Sequence, residues 1–273
     1  LYPDGSISYI LFIYFKTGAL GMGQFDGKVV LVTGGSSGIG QSAAILLAGQ
    51  GAKIMVSGRN AAKGQETVDI IRKNGKQADF TQANVVNATE VEALIAATIK
   101  SFGRLDHVVH SAGAVGSVAN TVDCTEENWQ DVIQTNITGA WHVMKYAIPE
   151  ILKVGGGSIV NIASVIGVIA FPGLPAYTAS KAGMIALTKT TALEYAKQNI
   201  RVNVICPGSI RTPMFMDFSG GTPESEVYMA SFHPMGRIGE PNEVASAIEW
   251  LLSDGASFVT GHVLPVAGGW EVP

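Results

Sequence analysis

From residue 28 onward, short apolar runs alternate with longer stretches in which apolar side chains recur at helical spacing. The apolar runs, rich in Val and Ile, predict strands at 29–33, 52–57, 77–83, 105–110, 157–163, 200–206 and 262–266. Near-continuous apolar character of this kind marks strands buried on both faces, as in a parallel sheet. The intervening stretches predict helices at about 38–50, 60–74, 87–102, 126–153, 175–198 and 240–253. Thr125-Glu126-Glu127-Asn128 and Gly239-Glu240-Pro241-Asn242-Glu243 supply capping and acidic first-turn residues at two helix starts. Only the segment from Pro207 to about Gly239 reads as long and irregular. No repeat, low-complexity tract or linker interrupts the series, so residues 22–273 are expected to form one α/β domain on a seven-stranded parallel sheet with helices on both faces.

Composition narrows the function classes. Of 273 residues, 47% are hydrophobic and 15% charged, which fits a folded protein with a sizeable core. A formal net charge of −4 leaves no broad basic surface for phosphate backbones, so a nucleic-acid partner is not expected. Cys124 and Cys206 lie far apart and outside any metal-ligand spacing, pointing to a reducing, cytoplasmic setting. His107, His110, His142, His233 and His262 form no zinc motif, and no catalytic metal is expected.

The apolar run from Tyr9 to Phe15 is far shorter than the roughly 20 residues needed to span a bilayer, and its flanks are wrong for a secretory signal. Residues 1–21 are read as a non-core extension, upstream of or appended to the natural chain, which is expected to start at Met22. No membrane partner is expected.

Thr33-Gly34-Gly35-Ser36-Ser37-Gly38-Ile39-Gly40 joins the first expected strand to a helix that opens with the small residues Ser42, Ala43 and Ala44. Glycines there let backbone amides approach a pyrophosphate at the positive end of the helix dipole. A merely flexible turn is the alternative, which the strand before and the helix after disfavour. The T-G-x-x-x-G-x-G spacing resembles the short-chain dehydrogenase/reductase family of the classical type, and further motifs follow in that family's order over nearly all of residues 28–270. The resemblance implies a Rossmann-like doubly wound fold and cofactor contacts from Gly34, Ser36, Ser37, Gly38 and Ile39.

The choice of nicotinamide cofactor turns on the end of the second strand, where a carboxylate commonly binds the ribose 2′-hydroxyl of NAD. This chain has Ser57-Gly58-Arg59-Asn60. Arg59 suits a 2′-phosphate and favours NADP over NAD, the alternative being a solvated arginine. Ser37 counts the other way, since NADP-preferring relatives often carry a second basic residue there. The resemblance places Asn84, with Val85 beside it, where an aspartate commonly contacts adenine. It also matches His110-Ser111-Ala112-Gly113 to the family's N-N-A-G segment, with histidine replacing the first asparagine. His110 is read as structural, while Ala112 and Gly113 leave room for the cofactor.

Tyr177 and Lys181, four residues apart, share one face of a helix at a Cβ separation of roughly 6 Å. A nearby ammonium stabilises a phenolate, so this spacing predicts a tyrosine pKa drawn below about 10, toward a value useful for proton transfer. As an isolated match it could be a surface pair. The resemblance gives it company: Ser164, just after a strand, matches the catalytic serine, and Asn136 matches the asparagine that helps hold a water on the lysine side of a proton relay. The less favoured alternative for Asn136 is a polar residue bent onto its own helix. Pro207-Gly208-Ser209-Ile210-Arg211-Thr212 matches the P-G motif, with Ile210 and Thr212 placed toward the nicotinamide carboxamide.

The expected activity is hydride transfer between nicotinamide and a secondary alcohol or ketone. The segment from Arg211 to Gly236 resembles the family's substrate cover and carries Met214, Phe215, Met216, Phe218, Met229, Phe232 and Met235. These side chains either line an apolar substrate site or pack the cover against the body. A 3-oxoacyl-carrier-protein reductase is the competing enzyme reading, although no basic cluster for an acidic carrier stands out. A non-catalytic nucleotide-binding sensor is disfavoured by the joint presence of Ser164, Tyr177 and Lys181. Relatives commonly form homotetramers, and the same is expected here.

Overall fold

The computed structural model describes residues 23–272; the extension at 1–21, Met22 and Pro273 lie outside the described residues. Seven parallel strands form one sheet in the order β3-β2-β1-β4-β5-β6-β7. They are β1 (Val29–Thr33), β2 (Lys53–Gly58), β3 (Ala78–Gln82), β4 (His107–His110), β5 (Gly157–Ile162), β6 (Ile200–Pro207) and β7 (Val263–Val266). Helices cover both faces: α1 (Gly38–Gly49), α2 (Ala61–Lys73), α3 (Ala88–Phe102), α4 (Glu126–Ile133), α5 (Gly139–Lys153), α6 (Pro175–Tyr195), α7 (Pro213–Ser219), α8 (Pro223–Ala230) and α9 (Pro241–Leu252).

The period-2 pleat of a strand explains why β1 must be apolar throughout. Val30 and Val32 pack with Ala44 and Leu47 of α1, Val68 of α2 and Ile248 of α9. Val29 and Leu31 face the other way, toward Leu94 of α3, Val143 of α5 and Ala192 of α6. Burying each such Val or Leu contributes about 1.5–3 kcal/mol. The chain winds outward from β1 to β3, then crosses back to β4 on the other side of β1. That reversal leaves a crevice at the carboxyl ends of β1 and β4, the position where open α/β sheets bind ligands.

At the opposite end, the buried carboxylate of Asp106 accepts from the Val29 N–H at 3.0 Å and from Arg104 at 2.8 and 2.7 Å, with Lys28 at 3.3 Å. The expected caps are in place: Thr125 Oγ1 accepts from the Asn128 N–H at 3.1 Å, and Glu243 accepts from the Glu240 N–H at 2.8 Å.

Two elements differ from expectation. The helix at 126–153 is continuous but carries a π-helical turn at Gln134–Thr138, centred on Asn136. The segment from Pro207 to Gly239 is not irregular throughout, because α7 and α8 occupy much of it. Each starts with a threonine cap followed by proline: Thr212 Oγ1 accepts from the Phe215 N–H and Thr222 Oγ1 from the Ser225 N–H, both at 3.2 Å. Among the described residues no helix is long and apolar enough to cross a membrane.

Candidate active site

The turn between β1 and α1 brings backbone to backbone. Gly34 has φ +67°, and a Cβ on it would lie 2.7 Å from the Ala112 nitrogen after β4, so only glycine closes this side of the crevice. Gly40 seats α1 on the turn, since a Cβ there would lie 2.3 Å from the Gly34 carbonyl oxygen. Ser37 does not turn its hydroxyl back to cap α1, and the first helical turn holds no acidic residue. The amides at this end therefore face a cavity of about 330 Å³ that runs along the carboxyl edge of the sheet.

Every cofactor residue expected from the sequence lines that cavity: Gly34, Ser36, Ser37, Gly38, Ile39, Arg59, Asn84, Val85, Ala112, Gly113, Tyr177, Lys181, Pro207, Gly208, Ile210 and Thr212. At one end Ser36 lies over Gly58, whose added Cβ would sit 2.9 Å from Ser36 Oγ. Arg59 beside it is exposed and makes no ion pair among the described residues. Asn84 Oδ1 accepts from the Val86 N–H at 3.3 Å and keeps a second lone pair for an incoming donor. The cavity wall contains two cationic side chains, Arg59 and Lys181, and no carboxylate. That donor set fits an anionic dinucleotide.

His110 takes the structural place expected of it. It is fully buried, with Nδ1 2.9 Å from Thr33 Oγ1. Burial, assisted by the charge of Lys181, drives its pKa down to about 3, so the ring stays neutral.

The chemistry-bearing side chains converge where β4, β5 and α6 meet. Ser164 follows β5 and caps the short 3₁₀ turn Val165–Gly167, accepting from the Ile166 N–H at 3.2 Å. Pro175 starts α6, placing Tyr177 in the first turn and Lys181 one turn later. Lys181 is buried; its Nζ donates to the Ile162 carbonyl at 2.9 Å and stands 5.6 Å from the centre of the Tyr177 ring.

The electrostatics correct one expectation. Burial pushes the Tyr177 phenol up to about 12, with a hydrogen bond from Ser164 acting in the opposite sense. Burial also lowers Lys181 to about 8. Desolvation thus outweighs the pairing of charges anticipated from the four-residue spacing.

Asn136 stands apart from the other three, since its side chain is buried and does not line the cavity. Nor does it bend onto its own helix. Oδ1 accepts from the Ala114 N–H at 2.8 Å, and Nδ2 donates to the Ala114 carbonyl at 2.9 Å and to Ser180 Oγ at 2.8 Å. A Cβ on Gly113 would lie 3.2 Å from Asn136 Oδ1 and 3.4 Å from Lys181 Nζ, so the strand end after β4, the π turn and α6 meet at one point.

Of the cover residues, Met214, Phe215, Phe218 and Met229 line the cavity. Met216 and Phe232 pack the cover together, and Met235 is exposed. The sequence reading missed Leu174, Ile166, Val115 and Trp270, which complete the apolar wall. Trp270 is held by Phe232, stacked at 5.2 Å, and by Phe171, edge-on at 5.9 Å. An aromatic directly after Gly268-Gly269 at the carboxyl end of the last strand was the available signal.

Comparison with known proteins agrees with this geometry. The sequence profile of the family described as "Enoyl-(Acyl carrier protein) reductase" matches residues 34–271. Cyclohexanol dehydrogenase of Acinetobacter sp. (strain SE19) is 41% identical over 247 residues, spanning 90% of this chain and 96% of the relative. Among solved structures, levodione reductase superposes with a TM-score of 0.89 at 31% identity, covering 90% of this chain and 98% of that one. A variant of actinorhodin polyketide ketoreductase, solved with NADPH, gives a TM-score of 0.88 at 35% identity, covering 93% and 100%. With its doubly wound sheet, its glycine turn and Ser164, Tyr177 and Lys181 gathered on one cavity, this chain belongs to the short-chain dehydrogenase/reductase family and is an oxidoreductase that uses a nicotinamide cofactor.

Proposed function

We propose that the enzyme interconverts an uncharged, apolar, cyclic secondary alcohol and its ketone, with NADP preferred over NAD. The observation that carries this reading is the distribution of charge along the cavity. Its two cations lie where a dinucleotide's phosphates and ribose would be held, and beyond Ser164 and Tyr177 the wall is Val115, Ile166, Leu174, Phe215, Phe218, Met229 and Trp270. Burying a charged substrate against such a wall would leave it unpaired at high cost. The substrate named for cyclohexanol dehydrogenase is cyclic, which supports a compact ring against Trp270.

When bound, the nicotinamide supplies the site that accepts or donates hydride. Tyr177 exchanges a proton with the substrate oxygen, Ser164 donates to that oxygen and orients it, and Lys181 holds the cofactor ribose and sustains proton exchange. Asn136 acts by fixing the π turn and the start of α6. Arg59 and Ser36 hold the 2′-phosphate. Gly34, Ser37, Gly38 and Ile39 receive the pyrophosphate, and Asn84 and Val85 the adenine. Ala112 and Gly113 border the dinucleotide, while Pro207, Gly208, Ile210 and Thr212 border the nicotinamide.

The catalytic unit is a single domain over 22–273, acting in the cytoplasm as a homotetramer. Exposed Trp250 on α9 and Phe258 before β7 are apolar surface suited to burial between copies.

A 3-oxoacyl-carrier-protein reductase of Thermotoga maritima, 37% identical over 250 residues, favours a second reading, reduction of the keto group of a 3-oxoacyl-carrier thioester. Nicotinamide absorbance with cyclohexanol, cyclohexanone and a 3-oxoacyl thioester, each with both cofactors, separates the two. Turnover of the cyclic pair with NADP is expected. Turnover confined to the thioester would replace the first reading by the second.

A further inference from the structure

His233 lies outside the catalytic cluster, just after α8, yet it is buried and both ring nitrogens are engaged. Nε2 accepts from the Ser209 N–H at 3.0 Å, and Nδ1 lies 2.9 Å from the Met229 carbonyl oxygen. An amide N–H can only donate and a carbonyl can only accept, so these partners dictate the tautomer: Nδ1 carries the proton and Nε2 the lone pair. The ring also lies 5.0 Å from the Trp270 ring, and a Cβ on Gly208 would fall 2.6 Å from Nε2. Burial, ahead of the opposing pull of the Met229 and Ala230 backbone groups, holds its pKa below the usual 6.5 and keeps it neutral.

The three segments meeting at this ring each contribute to the cavity wall. Gly208 and Ser209 follow β6, Met229 belongs to the cover helix α8, and Trp270 closes the far wall. We infer that His233 is a positioning residue that fixes the Gly208–Ser209 backbone at the nicotinamide end of the cleft and ties it to the substrate cover. The inference rests on the proposed dehydrogenase reading of this cleft. It assigns the coupling to one bond in particular, Ser209 N–H to Nε2, because without it a buried amide is left unpaired in a segment that must present its backbone in one place.

Two near-isosteric substitutions separate the two ring bonds. His233→Asn keeps a donor near Nδ1 and loses the acceptor at Nε2. His233→Gln places its amide oxygen near Nε2 and restores that acceptor. NADP binding measured by calorimetry, independent of turnover, is expected to weaken about three- to tenfold in His233→Asn, the value of one buried hydrogen bond. His233→Gln is expected to remain within about twofold of wild type, with KM for cofactor and cycloalkanol following the same order and kcat little changed. Equal affinities for Asn and Gln, or no weakening in Asn, would overturn the inference. ¹⁵N-histidine NMR of the wild-type protein is the check that needs no variant to fold, with an unprotonated Nε2 expected. A proton found on Nε2 would refute the assignment. Wild-type protein that binds NADP but turns over no cyclic alcohol overturns the functional reading and leaves this bond's effect on NADP binding standing.

Discussion

Asn136 Nδ2 donates a 2.8 Å hydrogen bond to Ser180 Oγ, which in turn donates to the Tyr177 carbonyl at 2.7 Å. The π-helical turn is thereby tied to the residue immediately before Lys181 and to the backbone of Tyr177. Asn136→Ala also strips both Ala114 backbone groups of their partner. It should lower stability by about 2 kcal/mol or more, against about 1 kcal/mol for Ser180→Ala. Denaturant unfolding of the two single variants and the double variant measures the coupling, expected at about 0.5–1.5 kcal/mol. Additive losses would mean that the bond carries no share of the stability. The fall in kcat should be larger for Asn136→Ala.

Lys181 links pH to stability with a definite sign. Its folded pKa of about 8 lies below its ordinary 10.5. Between those values the unfolded chain binds a proton that the folded protein has released, so this residue's contribution rises with pH across the window. Lys181→Met should remove activity and shed a charge penalty of the order of 3 kcal/mol at pH 7, against which stands about 1–3 kcal/mol for leaving the buried Ile162 carbonyl without its Nζ donor. The charge penalty should shrink as pH climbs from about 8 toward 10.5. Tyr177, raised to about 12, works in the opposite sense above its ordinary 10, and Cys206, also raised to about 12, does so above its ordinary 9. Taking the difference between wild type and variant at each pH isolates the lysine. A melting difference that stays flat from pH 7 to 10.5 would rule this account out.

Arg59 forms no ion pair among the described residues, which leaves its charge free for the 2′-phosphate contact proposed above. Arg59→Ala should reduce kcat/KM with NADPH by about 10- to 100-fold, the loss of one charge-assisted hydrogen-bonded contact, and change the NADH value little. An unchanged ratio of the two specificity constants would remove this residue from cofactor selection.

Asp106 joins the amino ends of β1 and β4. Burial raises its pKa, but the hydrogen bonds from Arg104 and the Val29 N–H prevail and hold it below the usual carboxylate range. A carboxylate with a lowered folded pKa stabilises above its unfolded value, and that share is lost as pH falls through the folded pKa. Asp106→Ala leaves the Val29 N–H unpaired and should cost about 1–3 kcal/mol near neutral pH. Its disadvantage should narrow at strongly acid pH, which melting curves over a pH series would reveal. Because the carboxylate sits at the end of the sheet away from the cleft, KM should not move.

The alternation of buried strands and amphipathic helices was legible from residue order, since each follows from a local period of apolar side chains. So was the glycine turn, because Gly34 and Gly40 are required by the backbone itself. The two helices of the cover were not. Pro213 and Pro223 read as loop residues until their threonine caps are seen to turn them into first helical residues, and α7 and α8 are too short for a periodic signal. The π turn was invisible as well, because its cause is the pairing of Asn136 with Ala114 and Ser180, 22 and 44 residues away in the chain.

Sequence by itself determined the seven strands, the longer helices, the glycine turn and the spacing of Tyr177 and Lys181. Spacing brought the two groups together but could not say how far water was excluded from them. Tertiary structure alone decided that burial raises the phenol and lowers the ammonium, that Asn136 braces the site from behind the cavity wall, and that Trp270 closes it. Desolvation, long-range hydrogen bonding and the meeting of chain ends each depend on groups remote in sequence, and only the folded packing sets them.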